Sequence, residues 1–170
     1  MFKKFVQMML DRVEKQLGAP VDESRYMAEH SLRALYAFSK VRDFADFRRV
    51  LPADAYYVAK IAAYRQEDCG SCLQIAVNQA REHHVQRGVI QAAVDRRLDA
   101  LSPELRLVFR FAEAHANRDD DPEARQQIIR RYGDQGLIEI GLAITSARMF
   151  PTLKRALGFS ISCSRVKVAV

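Results

Sequence analysis

Cys69 and Cys72 bracket Gly70 and Ser71 in a Cys-x-x-Cys pair, and a long helical pattern opens there. On a helix, this spacing places both thiols on one face within a single turn. From that arrangement they can close a disulfide or share a proton. A helix N-terminus favours a thiolate over a thiol, because its unpaired N–H groups stabilise an anion. This is the minimum equipment for dithiol redox chemistry. Two plainer uses compete with it. Cysteines are small and tolerate apolar surroundings, so the pair can simply fill a helix interface. A zinc site would need two further ligands. The nearby candidates are His83 and His84, which as helix neighbours point about 100° apart and lie turns away from Cys72. No metal and no bound cofactor is therefore expected.

The other reactive side chains carry weaker signals. His83 and His84 stand among Arg81, Glu82 and Gln86, as surface residues would. His30 falls within a helical stretch. His115, close in sequence to Arg110 and Glu113, is a candidate for a distant base or a plain helix-surface histidine. Cys163, in Ser160-Ile-Ser-Cys-Ser, reads as an incidental thiol in a loop-like tail.

Composition bounds the class. The 170 residues suit one domain, expected to span 1–170. Apolar residues make up 49%, with only 7 glycines and 5 prolines, which suits a compact helical protein rather than a disordered one. The net charge of +6 is spread among acids, as in Arg96-Arg97-Leu98-Asp99, without a basic cluster interleaved with aromatics. No nucleic acid is expected as a partner. Three cysteines are too few for a disulfide scaffold. The first residues carry Lys3 and Lys4, but Gln7 and Asp11 interrupt the apolar run a signal peptide needs. No stretch approaches the ~18 apolar residues that span a bilayer. A soluble cytoplasmic protein, without membrane contact, is the expectation.

Helical patterns must position the thiols. The spacing predicts helices over about 2–17, 22–39 and from Leu51-Pro52 to Gln66. Asp68 is read as the N-cap of the thiol helix, which runs to Arg87 and is closed by Gly88. Ser102-Pro103-Glu104 and Asp121-Pro122-Glu123 are two further starts. The stretch 137–150 is apolar on most sides, as a core helix or a subunit contact would be. Pro151 interrupts it, and Gly158 ends the last turn. The tail 160–170 alternates and is read as a short strand or an ordered extension.

The stretch Tyr64-Arg-Gln-Glu-Asp-Cys69-Gly-Ser-Cys72-Leu-Gln-Ile-Ala-Val resembles the redox helix of the alkyl hydroperoxidase D-like family, within the carboxymuconolactone decarboxylase superfamily. Leu101-Ser-Pro-Glu-Leu-Arg-Leu-Val-Phe-Arg-Phe-Ala and Tyr132-Gly-Asp-Gln-Gly-Leu-Ile-Glu-Ile-Gly-Leu-Ala-Ile-Thr are similar to its later helices. The resemblance covers roughly residues 20–160. It implies an all-α, compact multi-helix bundle that assembles as a dimer, trimer or hexamer. It also implies that Cys72 attacks peroxide and Cys69 resolves it as a disulfide. The helix dipole alone instead favours Cys69, nearer the N-terminus, as the thiolate.

Two positions depart from the family pattern. Its relay histidine is Ala76 here, and its glutamate, about a dozen residues before the first cysteine, is Tyr57. Tyr57 can still donate a hydrogen bond to a thiolate. Glu67 can accept a proton, although Glu67 and Asp68 also raise a thiol pKa by charge repulsion. The expected activity is a thiol-dependent peroxidase or disulfide reductase, cycling Cys69 and Cys72 with electrons from an external dithiol. The alternative is a non-catalytic oligomeric binding protein whose thiol pair is vestigial or regulatory.

Overall fold

In a computed structural model, residues 2–159 and 169–170 are described, and among them no strand occurs. Cys163 and most of the alternating tail lie outside the described residues. The chain forms α1 (Phe2–Leu17), α2 (Asp22–His30), α3 (Leu32–Ser39), α4 (Val41–Ala45), α5 (Ala53–Gln66) and α6 (Gly70–Glu82). Then come α7 (Arg87–Val94), a 3-10 turn (Leu98–Ala100), α8 (Pro103–Ala116) and α9 (Pro122–Ala156).

The hub is α5. Every residue from Ala55 to Tyr64 is buried, because the helix packs against α6, α7, α8 and α9 at once. An all-round apolar helix is stable only in such surroundings. Val58 and Ile61 each gain about 1.5–3 kcal/mol from burial. Leu10, Val21 and Ala28 form a separate small cluster with Val6, Val13, Leu17 and Leu35. This unit of α1–α3 rests on α6 and α9. Arg25 ties α2 to α1 through Gln7, Asp11 and Glu14. At its end, Asn78 of α6 donates 2.8 Å to the Leu17 carbonyl. Gly18 lies at φ +64, which favours glycine, and a Cβ there would stand 2.5 Å from the Asn78 amide and displace it.

Four expectations change. The helix predicted over 22–39 breaks at Ser31, which is extended (φ −159) and accepts from the Ala34 N–H as the cap of α3. The thiol helix stops at Glu82, because His84 takes a left-handed conformation (φ 59); Gly88 instead lies inside the first turn of α7. Asp68 is itself left-handed (φ 49) and makes the tight turn out of α5, so the N-cap position of α6 falls to Cys69. Pro151 does not interrupt α9; the break is at Gly133 (φ 71, ψ 175). A proline inside a helix removes one backbone hydrogen bond and crowds the preceding turn. Buried packing carries the helix through it.

Candidate active site

The thiols sit where α5 turns into α6. Cys69 occupies the N-cap position (φ −117, ψ 90) and Cys72 the third residue of the helix. Their sulfurs are 2.7 Å apart, well inside van der Waals contact, and both are buried. The pair therefore stands at the N-terminal end of α6, where the helix dipole favours an anion, although the Cys69 side chain accepts no capping hydrogen bond from the first turn. The helix placement of the pair thus agrees with its spacing.

Cys72 forms part of the wall of a cavity of about 260 Å³. α1 covers one side with Val6, Met9, Leu10 and Val13, while Phe38 and Phe150 close another. Polar groups share this lining, among them Tyr64 and Lys60 from α5, Glu23 from α2 and Lys154 from α9. None of these four was singled out from sequence. Lys60, a charge inside an apolar helix, carried a readable signal. Glu23 and Lys154 carried none, being far from the motif along the chain.

Tyr64 is fully enclosed. Burial, and after it the charges of Cys72 and Cys69, hold its hydroxyl well above the usual range, so it remains a neutral donor. Lys60 donates to the Ala45 carbonyl at 3.0 Å, and to Asp46 and Gln79 at 3.3 Å each. Burial lowers its pKa and the Asp46 carboxylate opposes this.

This burial sets a stability prediction. Between the lowered value and the ordinary 10.5 of Lys60, the unfolded chain binds more protons than the folded one. Wild-type stability should therefore gain from raising the pH through that window, and Lys60→Met should not. The variant should stand highest relative to wild type at neutral pH, where a buried charge is costliest, with the difference shrinking as the pH nears 10.5. Urea denaturation across that range measures it. A difference that does not vary with pH contradicts the reading.

The two accessory residues read from sequence lie differently. Tyr57 is buried, stacks on His83 at 5.4 Å between ring centroids and meets Tyr56 edge-on. Burial raises its pKa. It is not among the residues lining the Cys72 cavity. Glu67 directs both carboxylate oxygens at arginines, Oε1 to Arg148 at 3.2 Å and Oε2 to Arg155 at 2.6 Å. Arg155 also donates to its backbone carbonyl at 3.0 Å. Glu67 thereby clamps the turn before Cys69 onto α9. Ala76 is fully buried within α6.

Ser71 and Lys154 complete the surroundings. Ser71 Oγ lies 3.6 Å from Cys69 Sγ and accepts from Lys154 Nζ at 3.2 Å. Lys154 also donates to the Pro20 carbonyl at 3.4 Å and pairs with Glu23 Oε2 at 3.5 Å. Burial raises the Glu23 pKa, and Lys154 partly opposes the rise. Among the described residues, no group of three or more His, Cys, Asp or Glu is placed to hold a metal ion. Nor is any helix long and apolar enough to cross a membrane.

No protein-family model and no curated protein matches the chain. Among solved structures it is similar to a crystal structure of the debrominase Bmp8, a cysteine-to-alanine form in complex with 2,3,4-tribromopyrrole. The match has a TM-score of 0.72 at 18% identity, covering 93% of this chain and 82% of that one. The all-helical fold expected from the redox-helix resemblance is thus the fold of this chain.

Proposed function

We propose that this chain is a thiol-dependent reductase of small, apolar peroxides, with Cys72 as the attacking and Cys69 as the resolving thiol. One observation carries the reading: Cys72 lines a largely apolar cavity, with the Cys69 sulfur 2.7 Å from its own. Attack by Cys72 on the terminal peroxide oxygen breaks the O–O bond. It leaves a sulfenic acid on Cys72 and an alkoxide that takes up a proton. Cys69 then displaces water to form the disulfide, and an external dithiol returns two electrons and two hydrogens.

The size and lining of the cavity suit a particular substrate. At about 260 Å³ it holds a small organic molecule. The electron donor is an external dithiol. Glu67 serves as the anchor of the thiol turn, and Tyr57 as support for α5 against His83. The test is peroxide consumption by purified protein with a small dithiol, using hydrogen peroxide and a small alkyl hydroperoxide side by side. Faster turnover of the alkyl substrate supports the reading. No dithiol-dependent consumption of either contradicts it.

A second reading draws on the shared fold with a debrominase bound to a bromopyrrole. The same thiols would reduce a carbon–halogen bond of a small aromatic ring, releasing halide and leaving the same disulfide. Halide release from bromophenols and bromopyrroles, with and without dithiol, separates it from peroxide reduction. Binding of such compounds without turnover would favour the non-catalytic alternative.

We further propose that the chain assembles with copies of itself. Ile138 (57% exposed) and Met149 leave apolar surface along α9, beside an open groove of about 980 Å³ that contains neither thiol. Light scattering at micromolar concentration is expected to give at least a dimer. A monomer contradicts the proposal.

A further inference from the structure

We infer that the outer face of α1 docks on an anionic membrane surface and so brings the Cys72 cavity to hydroperoxides carried in the bilayer. The second half of this inference rests on the peroxide chemistry proposed above.

α1 is apolar on two sides. Val6, Leu10, Val13 and Leu17 turn inward and pack with Val21, Ala28 and Leu35. That leaves Phe5, Met8 and Met9 outside, 53, 45 and 49% exposed. Lys4, Arg12 and Lys15 are interleaved with them, and all three are exposed. Positions 4, 8, 12 and 15 fall on one stripe of a helix, and 5 and 9 on the stripe beside it. The two acids of α1, Asp11 and Glu14, turn toward α2, where both bind Arg25. Among the described residues, Lys4, Arg12 and Lys15 enter no ion pair.

The face continues onto α3. Leu32 shares a surface hollow with Lys4 and Met8, where Glu29 is the neighbouring acid. One turn on, Tyr36 is 67% exposed, with Lys40 over its ring at 4.7 Å. Cations thus alternate with apolar and aromatic groups across both helices.

Charge chooses the occupant. A second copy docked through this face by two-fold symmetry would set one cationic patch against the same patch, on a chain already at +6. An anionic bilayer offers what this face can use. Its headgroups meet Lys4, Arg12 and Lys15, and its acyl boundary takes Phe5, Met8 and Met9 between them. α1 needs no spanning length for this, because an interfacial helix lies in the plane of the membrane. Met9 joins the face to the chemistry, since it is half exposed and also stands in the wall of the cavity that Cys72 lines. A docked α1 sets that cavity beside the boundary where an apolar hydroperoxide partitions.

The test is co-sedimentation of the full-length protein with vesicles of phosphatidylcholine, with and without phosphatidylserine. Binding to the anionic vesicles should be at least about tenfold tighter and should weaken as salt is raised. Charge reversal, Lys4→Glu with Arg12→Glu and Lys15→Glu, should abolish it. Phe5→Ser with Met8→Ser should weaken it at constant charge, and exposed positions leave the fold intact. Equal binding to both vesicles, no binding, or a charge-reversed protein that binds like wild type overturns the docking. So does indifference to Phe5→Ser with Met8→Ser, which would leave adsorption by charge alone. An oligomer that these two serines dissociate, in a protein that ignores vesicles, would assign the face to a second copy instead. Turnover separates the second half. The charge-reversed variant should lose about tenfold with a hydroperoxide carried in anionic vesicles and keep its rate with a water-soluble one. Equal loss of both overturns delivery from the bilayer. Vesicle binding needs no peroxide. A protein that binds vesicles but is inert toward peroxide fails the proposed function alone, and an active peroxidase that ignores vesicles overturns the docking alone.

Discussion

Cys72→Ser is expected to abolish dithiol-dependent peroxide reduction, and Cys69→Ser to halt it after one equivalent. Without the Cys72 sulfur no nucleophile faces the cavity, and loss of an attacking group typically costs about three orders of magnitude or more. Without Cys69, Cys72 can still react once. It then remains as a sulfenic acid that a trapping reagent labels in stoichiometric amount. Peroxide consumption per protein, followed with and without the trap, separates the two variants. The reverse pattern, with Cys72→Ser retaining one turnover, would exchange the roles of the thiols and make the cavity incidental.

Glu139→Ala is expected to be the most destabilising single change outside the thiol site. This glutamate is buried in α9, and its carboxylate accepts from three successive backbone N–H groups. Arg49 and Val50 donate to Oε1 at 2.7 and 2.9 Å, and Leu51 to Oε2 at 2.9 Å. It closes the turn that launches α5, the helix carrying Lys60 and Tyr64. An orphaned buried N–H costs about 1–3 kcal/mol. With three at stake and partial relief by entering water, the expected loss is about 3–5 kcal/mol. For a chain of this size, that lowers the melting temperature by on the order of 10 °C. Urea denaturation measures the loss directly. A change within about 0.5 kcal/mol, the scale of an ordinary surface substitution, contradicts this role.

The helical content and the thiol pair were readable because both are local. Alternating apolar faces, the Ser102-Pro103 and Asp121-Pro122 starts, and the three-residue thiol spacing each sit within a turn or two of chain. Boundaries were misread where one residue took a left-handed or extended backbone without being glycine, as at Ser31, Asp68 and His84. No periodicity announces such a residue. Pro151 was misread for the opposite reason, since burial of α9 outweighs its helix-breaking cost. Around the thiols, Ser71 was visible as part of the motif. Lys154 reaches it from α9 across 83 residues of chain, and Glu23 of α2 meets Lys154 there. Glu139 was likewise invisible, as its partners are backbone groups some 90 positions away. The substituted relay positions, Tyr57 and Ala76, could be recognised as departures, but what stands in their place is a tertiary fact.

The most direct measurement is the intact mass of native, reduced protein treated with one equivalent of a small alkyl hydroperoxide, followed by mapping of the product. The account predicts a loss of two hydrogens, with the new bond joining Cys69 to Cys72. Retention of both thiols, or addition of oxygen to one of them without a disulfide, would contradict it.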